Sequence, residues 1–147
     1  MIDELITTEL RLPTRLGFEK VAMSTAASVA EIMGFSPDRV EDLKTAVAEA
    51  CINAIEHGNR LDEQLSVVVT LSIGEESLEV KIQDEGTGVP EGSLHVPDID
   101  RKMAGMEMPR GMGMFLIQAL VDEVEYGTEP AGSYARLMIH LNPRKKD

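Results

Sequence analysis

Ser36 to Asn59, SPDRVEDLKTAVAEACINAIEHGN, reads as one long amphipathic helix. Ser36 offers a hydroxyl at the N-cap, Pro37 stands in the first turn where its missing N–H is not needed, and Asp38 lies beside the positive end of the helix dipole. Val40, Leu43, Val47, Ala50, Cys51, Ala54 and Ile55 recur at spacings of three and four and form a single apolar stripe. Asp42, Thr45, Glu49, Asn53 and Glu56 fall on the other side. The pattern predicts a helix running to about His57, with Gly58-Asn59 as its stop. Glu49 and Asn53 are one turn apart on its polar face, so their side chains can reach a common ligand.

Toward the N-terminus, residues 5 to 12 alternate apolar and polar up to Pro13, the pattern of a half-buried edge or near-edge strand. From about Thr14, apolar residues of helical period continue to Met33, and Gly34 supplies a stop. Toward the C-terminus, residues 65 to 73 and 78 to 83 are β-branched and apolar, and Gly74 to Ser77 read as a hairpin turn between them. Residues 84 to 110 carry prolines, glycines and closely spaced methionines without a sustained period. So long a loop in a small domain is usually functional, and a lid at about 89–110 is expected. A helix then opens at Gly111-Met112-Gly113 and runs to about Val121. Two strands follow, at Glu123 to Tyr126 and Ser133 to Leu141, with a turn over 127–132. Strands in adjacent pairs and helices in separate blocks predict an α+β fold: a two-layer sandwich whose mixed, mostly antiparallel sheet carries three helices on one face. Residues 1–147 are expected to form one domain, with a flexible tail expected at 143–147.

The balance of charge narrows the function. A formal net charge of −12 disfavours nucleic acid and acidic membranes, whose binding relies on Lys and Arg, and suits docking to a basic protein surface. No apolar run is long enough to span a bilayer, and the acidic start Met1-Ile2-Asp3-Glu4 lacks the features of a secretory leader, so a soluble, cytoplasmic protein is expected. Cys51 is the single cysteine, has no metal-ligand spacing around it, and belongs to the apolar stripe as a core residue. His57, His95 and His140 form no cluster, and no metal–histidine site is read.

Three constellations carry chemistry. Glu49 with Asn53 suits phosphoryl transfer, since a carboxamide oxygen ligates Mg²⁺ without adding charge and a carboxylate can orient or deprotonate a hydroxyl. Asp84 with Gly86 and Gly88, at a strand exit, pairs an acceptor for an amino group with backbone that lets a ligand approach closely. Arg110, Gly111 and Gly113 open a helix whose first N–H groups can bind phosphate. Each has a plainer reading when taken alone: a solvated helix face, a tight turn, a loop hinge. The Rossmann pattern fails, because Leu116 stands at its third glycine, and the Walker lysine is absent.

Their combination and order resemble a known family. Glu49–His57 (EACINAIEH) is similar to the N-box of the Bergerat-fold (GHKL, histidine-kinase-like) ATPases, Asp84–Gly88 (DEGTG) to their first glycine box, and Arg110–Ile117 (RGMGMFLI) to their second. The likeness spans residues 5 to 142, and Ala46–Gly58 (AVAEACINAIEHG) looks most like the anti-sigma-factor serine/threonine kinases. That resemblance implies ATP or ADP as ligand with Mg²⁺ on Asn53, and Glu49 as the catalytic base or orienting group for the attacking hydroxyl. By the same resemblance Asp84 would accept from the adenine amino group, with Ser133 supporting it from the last strand through water. Gly86 and Gly88 would shape the pocket floor, Gly111 and Gly113 would turn N–H groups to the phosphates, and Arg110 would contact a phosphate or act on the lid. The implied partners are an anti-sigma-factor antagonist as substrate, a sigma factor and a second copy in a homodimer. The lid lacks the Thr-Thr-Lys run of some relatives, so its phosphate contacts do not carry over. Two other readings share these residues: a nucleotide-dependent protein-binding switch without transfer, and a sensor histidine kinase domain, which would need its phospho-accepting helix on a separate chain.

Overall fold

The computed structural model describes residues 6–86 and 110–142. In chain order these form β1 (Ile6–Pro13), α1 (Glu19–Met33), α2 (Pro37–Asn53) continued by a wide turn (Ala54–Gly58), β2 (Ser66–Ile73), β3 (Ser77–Gln83), α3 (Arg110–Leu120), β4 (Glu123–Glu129) and β5 (Gly132–His140). Gly88, the span assigned to a lid up to residue 109, and the tail 143–147 lie outside the described residues.

The five strands form one sheet in the order β1-β2-β3-β5-β4, and all four neighbouring pairs are antiparallel. The connections explain why. The α1–α2 pair between β1 and β2 carries the chain out and back, so β2 returns against β1. Between β3 and β4, α3 is a single described helix, and β4 does run in the direction of β3; β5 is inserted between them and pairs antiparallel with both. The sheet, expected to be mixed and mostly antiparallel, is antiparallel at every described pairing.

Burial alternates along β2 and β3, as the side-chain period of two requires. Register places Leu71, Val80 and Leu137 in one cross-strand row and Val69, Ile82 and Ala135 in the next. Against these pack Leu43, Val47, Cys51 and Ile55 of the second helix and its turn, Ala22, Ala26 and Ala30 of α1, and Ile117 of α3. Each fully buried Leu, Ile or Val contributes about 1.5–3 kcal/mol relative to exposure. The opposite face is a polar ladder, Glu9–Thr70–Lys81–Arg136–Glu125 in register. Arg136 there pairs with Glu125 and, at 3.5 Å, with Glu79. The apolar demand of the sheet is thus confined to one face, and the helices cover that face.

Three boundaries differ from the sequence reading, each for a local reason. α1 begins at Glu19 rather than near Thr14, because Thr14 is buried with its hydroxyl donated to Leu65 O at 2.7 Å, and Gly17 N–H bonds the Glu19 carboxylate at 2.7 Å. β4 extends to Glu129, past the end of the apolar alternation. There Gly127 lies opposite Tyr134, whose ring packs over it and replaces the missing side chain. The third difference is the end of the second helix. Its α-helical bonding stops at Asn53, and the chain widens so that Asn59 N–H reaches Ala54 O at 2.8 Å, five residues back. Arg60 and Leu61 follow at φ of 52° and 59°, a left-handed conformation that costs roughly 1–2 kcal/mol per residue. Ser36 caps the other end as expected, accepting from Arg39 N–H at 3.3 Å.

Cys51 is fully buried, and burial, aided by the negative charge of Glu19, pushes its thiol up to about 12. The thiolate is the reactive form. We expect the folded protein at pH 8 to resist iodoacetamide and one thiol per chain to react in denaturant. Stoichiometric labelling of the folded protein, read by mass spectrometry, would contradict this placement.

Candidate functional site

A cleft of about 200 Å³ opens between the second helix, α3 and the β3–β5–β4 end of the sheet. Its apolar walls come from Ala50 and Ala54, Ile82, Met114 and Ile117, and Ala135. Two groups in its lining make it chemically specific: Asn53, from the second helix, and Asp84, from the end of β3. An apolar slot with few placed polar groups is the general form of a small-molecule site. Tyr126 stands at the exposed edge, its phenol pushed up by burial and therefore neutral at physiological pH.

Asp84 follows the last residue of β3 and is 5% exposed. Its backbone continues the ladder, N–H to Ser133 O at 2.9 Å, and its Oδ1 accepts from Ser133 N–H at 3.0 Å and Gly86 N–H at 3.1 Å. Ser133 thus supports Asp84 through its backbone. Two N–H donors on one oxygen fix the rotation of the carboxylate. The backbone packs tightly around it. A Cβ on Gly58 would overlap the Asp84 carboxylate, and one on Gly132 would overlap the Asp84 carbonyl and lie 2.9 Å from Oδ1. Gly86 in turn lies against the Gly58 carbonyl.

Glu49 and Asn53 lie on one face of α2, both partly exposed, and among the described residues neither side chain has a hydrogen-bonding partner. Facing them is the first turn of α3, where Gly113 is buried and a Cβ would stand 2.9 Å from Glu49 Oε2 and 3.7 Å from Asn53 Nδ2. A carboxylate and a carboxamide without partners, next to the N-terminal turn of a helix, suit a phosphate-bearing ligand and its cation. The donor set fits Mg²⁺ in kind: it is commonly held by one or two protein oxygens together with phosphates and water, and Asn53 Oδ1 is the candidate ligand. Asn53 is on the cleft wall and Glu49 lies outside the lining, toward Gly113. Arg110 and Gly111 stand in the first turn of α3 by backbone.

By sequence Gly58 and Asn59 mark only a helix stop, and Gly132 only the end of a turn. Gly58 and Gly132 meet Asp84, and Asn59, 1% exposed, bonds Glu85 N–H at 2.8 Å. The available signal was weak: a Gly-Asn pair ending a helix that already carries Glu49 and Asn53, and a glycine beside Ser133.

The family model of the histidine kinase-like ATPase domain matches residues 12–139. The serine-protein kinase RsbW of Bacillus subtilis (strain 168) is 30% identical over 150 residues, covering 95% of this chain and 88% of its own. RsbW of Bacillus licheniformis is 32% identical over 125 residues, 79% of this chain and 74% of that protein. Among solved structures, the RsbU and RsbW domains of Rv1364c from Mycobacterium tuberculosis align at a TM-score of 0.66 and 18% identity, over 94% of this chain and 33% of that one. The Erythrobacter litoralis EL346 blue-light activated histidine kinase aligns at 0.58 and 19%, over 85% and 42%. At such identities the structural likeness speaks for the fold, and this chain spans less than half of either longer chain.

Replacing Gly58 by Ala should force the helix end off Asp84. The expected loss is about 1–3 kcal/mol of stability, the usual cost of overpacking. Urea denaturation measures it, and a wild-type midpoint would show that the close approach at Asp84 is not a constraint.

Proposed function

We propose that this chain, which belongs to the histidine kinase-like ATPase domain family and within it to the RsbW-like anti-sigma-factor serine kinases, phosphorylates a Ser or Thr hydroxyl of an antagonist protein with ATP and binds a sigma factor in partner switching. The observation that carries this reading is the Glu49–Asn53 pair facing Gly113, without a hydrogen-bonding partner among the described residues, with Asn53 on the wall of the cleft that Asp84 also lines.

The roles follow from position. Asp84 accepts from the adenine amino group, and the apolar walls exclude water around the base. N–H groups of the first turn of α3, at Gly111 and Gly113, receive the phosphates, where helix-terminal donors suit negative charge. Asn53 would ligate Mg²⁺, which neutralises phosphate charge when bound. Glu49 orients the attacking hydroxyl and takes its proton. The new bond joins that oxygen to the γ-phosphorus, the bond to the β–γ bridging oxygen breaks, and ADP leaves. Positioning and charge stabilisation supply most of the acceleration in such transfers. The acidic surface supports docking of basic protein partners, and a homodimer is part of the proposal.

Two measurements test this. With Mg²⁺–ADP at about 100 times its Kd the native state should gain about 2.7 kcal/mol, read as a rise in melting temperature. Asn53→Ala should lose the Mg²⁺-dependent part of that gain. In a transfer assay with γ-labelled ATP and a supplied antagonist, Glu49→Gln should slow labelling by about 10²–10⁴-fold while still binding nucleotide. Wild-type labelling by Glu49→Gln would remove Glu49 from its role. No labelling by the wild-type protein, together with nucleotide-dependent partner binding, would favour the switch without transfer.

A further inference from the structure

Asn59 is a buried polar side chain beside the loop that carries Asp84. It follows the wide turn that ends the second helix, is 1% exposed, and uses every polar atom it has. Nδ2 donates to Thr14 Oγ1 at 2.8 Å and to Ser66 O at 2.9 Å, while Oδ1 accepts from Glu85 N–H at 2.8 Å. A carbonyl on one side and an N–H on the other leave only this orientation of the amide. The network continues outward: Glu85 Oε2 accepts from Ser66 N–H at 3.0 Å, and Oε1 pairs with Arg11 at 3.0 Å. One side chain thereby joins the end of β1, the start of β2, the helix end and the loop that carries Asp84.

We propose that Asn59 is a positioning residue for base recognition. Its acceptor oxygen pins Glu85 N–H, the amide next to Asp84, and Ser133 N–H holds the Asp84 carboxylate from the other side. Between these two anchors the carboxylate has one orientation. Asn59 is also tied by its own N–H to Ala54 O, at the turn that begins one residue after Asn53, so the base-reading and cation-binding groups share one frame. The consequence is specificity: Asn59 acts through Asp84 on the choice of a 6-amino purine over a 6-oxo purine, a discrimination that depends on the acceptor being correctly placed. This inference rests on the reading of Asp84 as the acceptor for adenine.

The experiment is calorimetric titration of the full chain with Mg²⁺–ADP and with Mg²⁺–IDP, whose base has an oxo group for the 6-amino group and a proton on N1. Wild-type protein should prefer ADP, and Asn59→Ala should reduce the ADP-to-IDP affinity ratio by about tenfold, as loss of a well-placed polar contact does. Thr14→Val removes the outer end of the same network without touching Glu85 N–H. It should lower the melting temperature and leave the ratio unchanged, which separates positioning from general stability. Asn59→Asp keeps an acceptor for Glu85 N–H and should retain most of the preference. If Asn59→Ala does not fold, as judged by circular dichroism, Asn59→Ser takes its place with the same expected loss. A folded Ala or Ser variant with the wild-type ratio overturns the proposal alone. A wild-type protein that binds ADP and IDP equally overturns the assignment of Asp84 and this inference with it.

Discussion

The close approach of backbone to Asp84 is the constraint on which the rest of the site depends. A buried carboxylate is costly unless hydrogen-bonded, and here N–H groups from Gly86 and Ser133 bond it. The Ser133 donor requires the start of β5 to come within contact of residue 84, and the end of the second helix packs against the same carboxylate; side chains at 132 and 58 would prevent these approaches. The turn after β3, the helix end and the last hairpin are therefore packed against one another at the Asp84 wall of the cleft. The apolar core beneath sets the distance between helix and sheet; the glycine contacts set the registry at the site.

The wide turn at Ala54–Gly58 makes that registry possible. A regular α-helix through His57 would continue in line, whereas the five-residue spacing from Ala54 to Asn59 keeps Ala54 and Ile55 in the core and brings Asn59 inward. The left-handed Arg60 and Leu61 that follow are unfavourable in isolation, and local strain of this kind is commonly retained at functional sites. Its return is the buried network through Asn59, Thr14 and Glu85, which joins four segments distant in sequence. The residues proposed for catalysis and base reading thus sit on elements tied to one another through this network, the condition for electrostatic preorganisation.

Much of this was legible from residue patterns. The stripe from Val40 to Ile55 and the alternation in β2 and β3 each reflect one face meeting one core, and periodicity reports that directly. The Glu49–Asn53 pair was visible as a spacing, and the structure brings it to Gly113, sixty residues away, as the motif order implied. Less visible was anything depending on two distant backbones touching. Gly58 and Gly132 look like ordinary punctuation in the chain, since a glycine required by a neighbour's position carries no local signature. The same holds for Asn59, whose partners lie at Thr14, Ser66 and Glu85, and for the extension of β4, which rests on Tyr134 packing across Gly127 rather than on an apolar repeat.

The central claim is that one nucleotide is held from two sides, its base by Asp84 and its phosphates by the Asn53 face of α2 and the first turn of α3. A crystal structure of the chain with Mg²⁺–ADP tests this most directly. The account predicts the adenine amino group within about 3 Å of the Asp84 carboxylate and Mg²⁺ at about 2.1 Å from Asn53 Oδ1. A base seated outside the Ile82–Ile117 cleft, or a cation bound without Asn53, would contradict it.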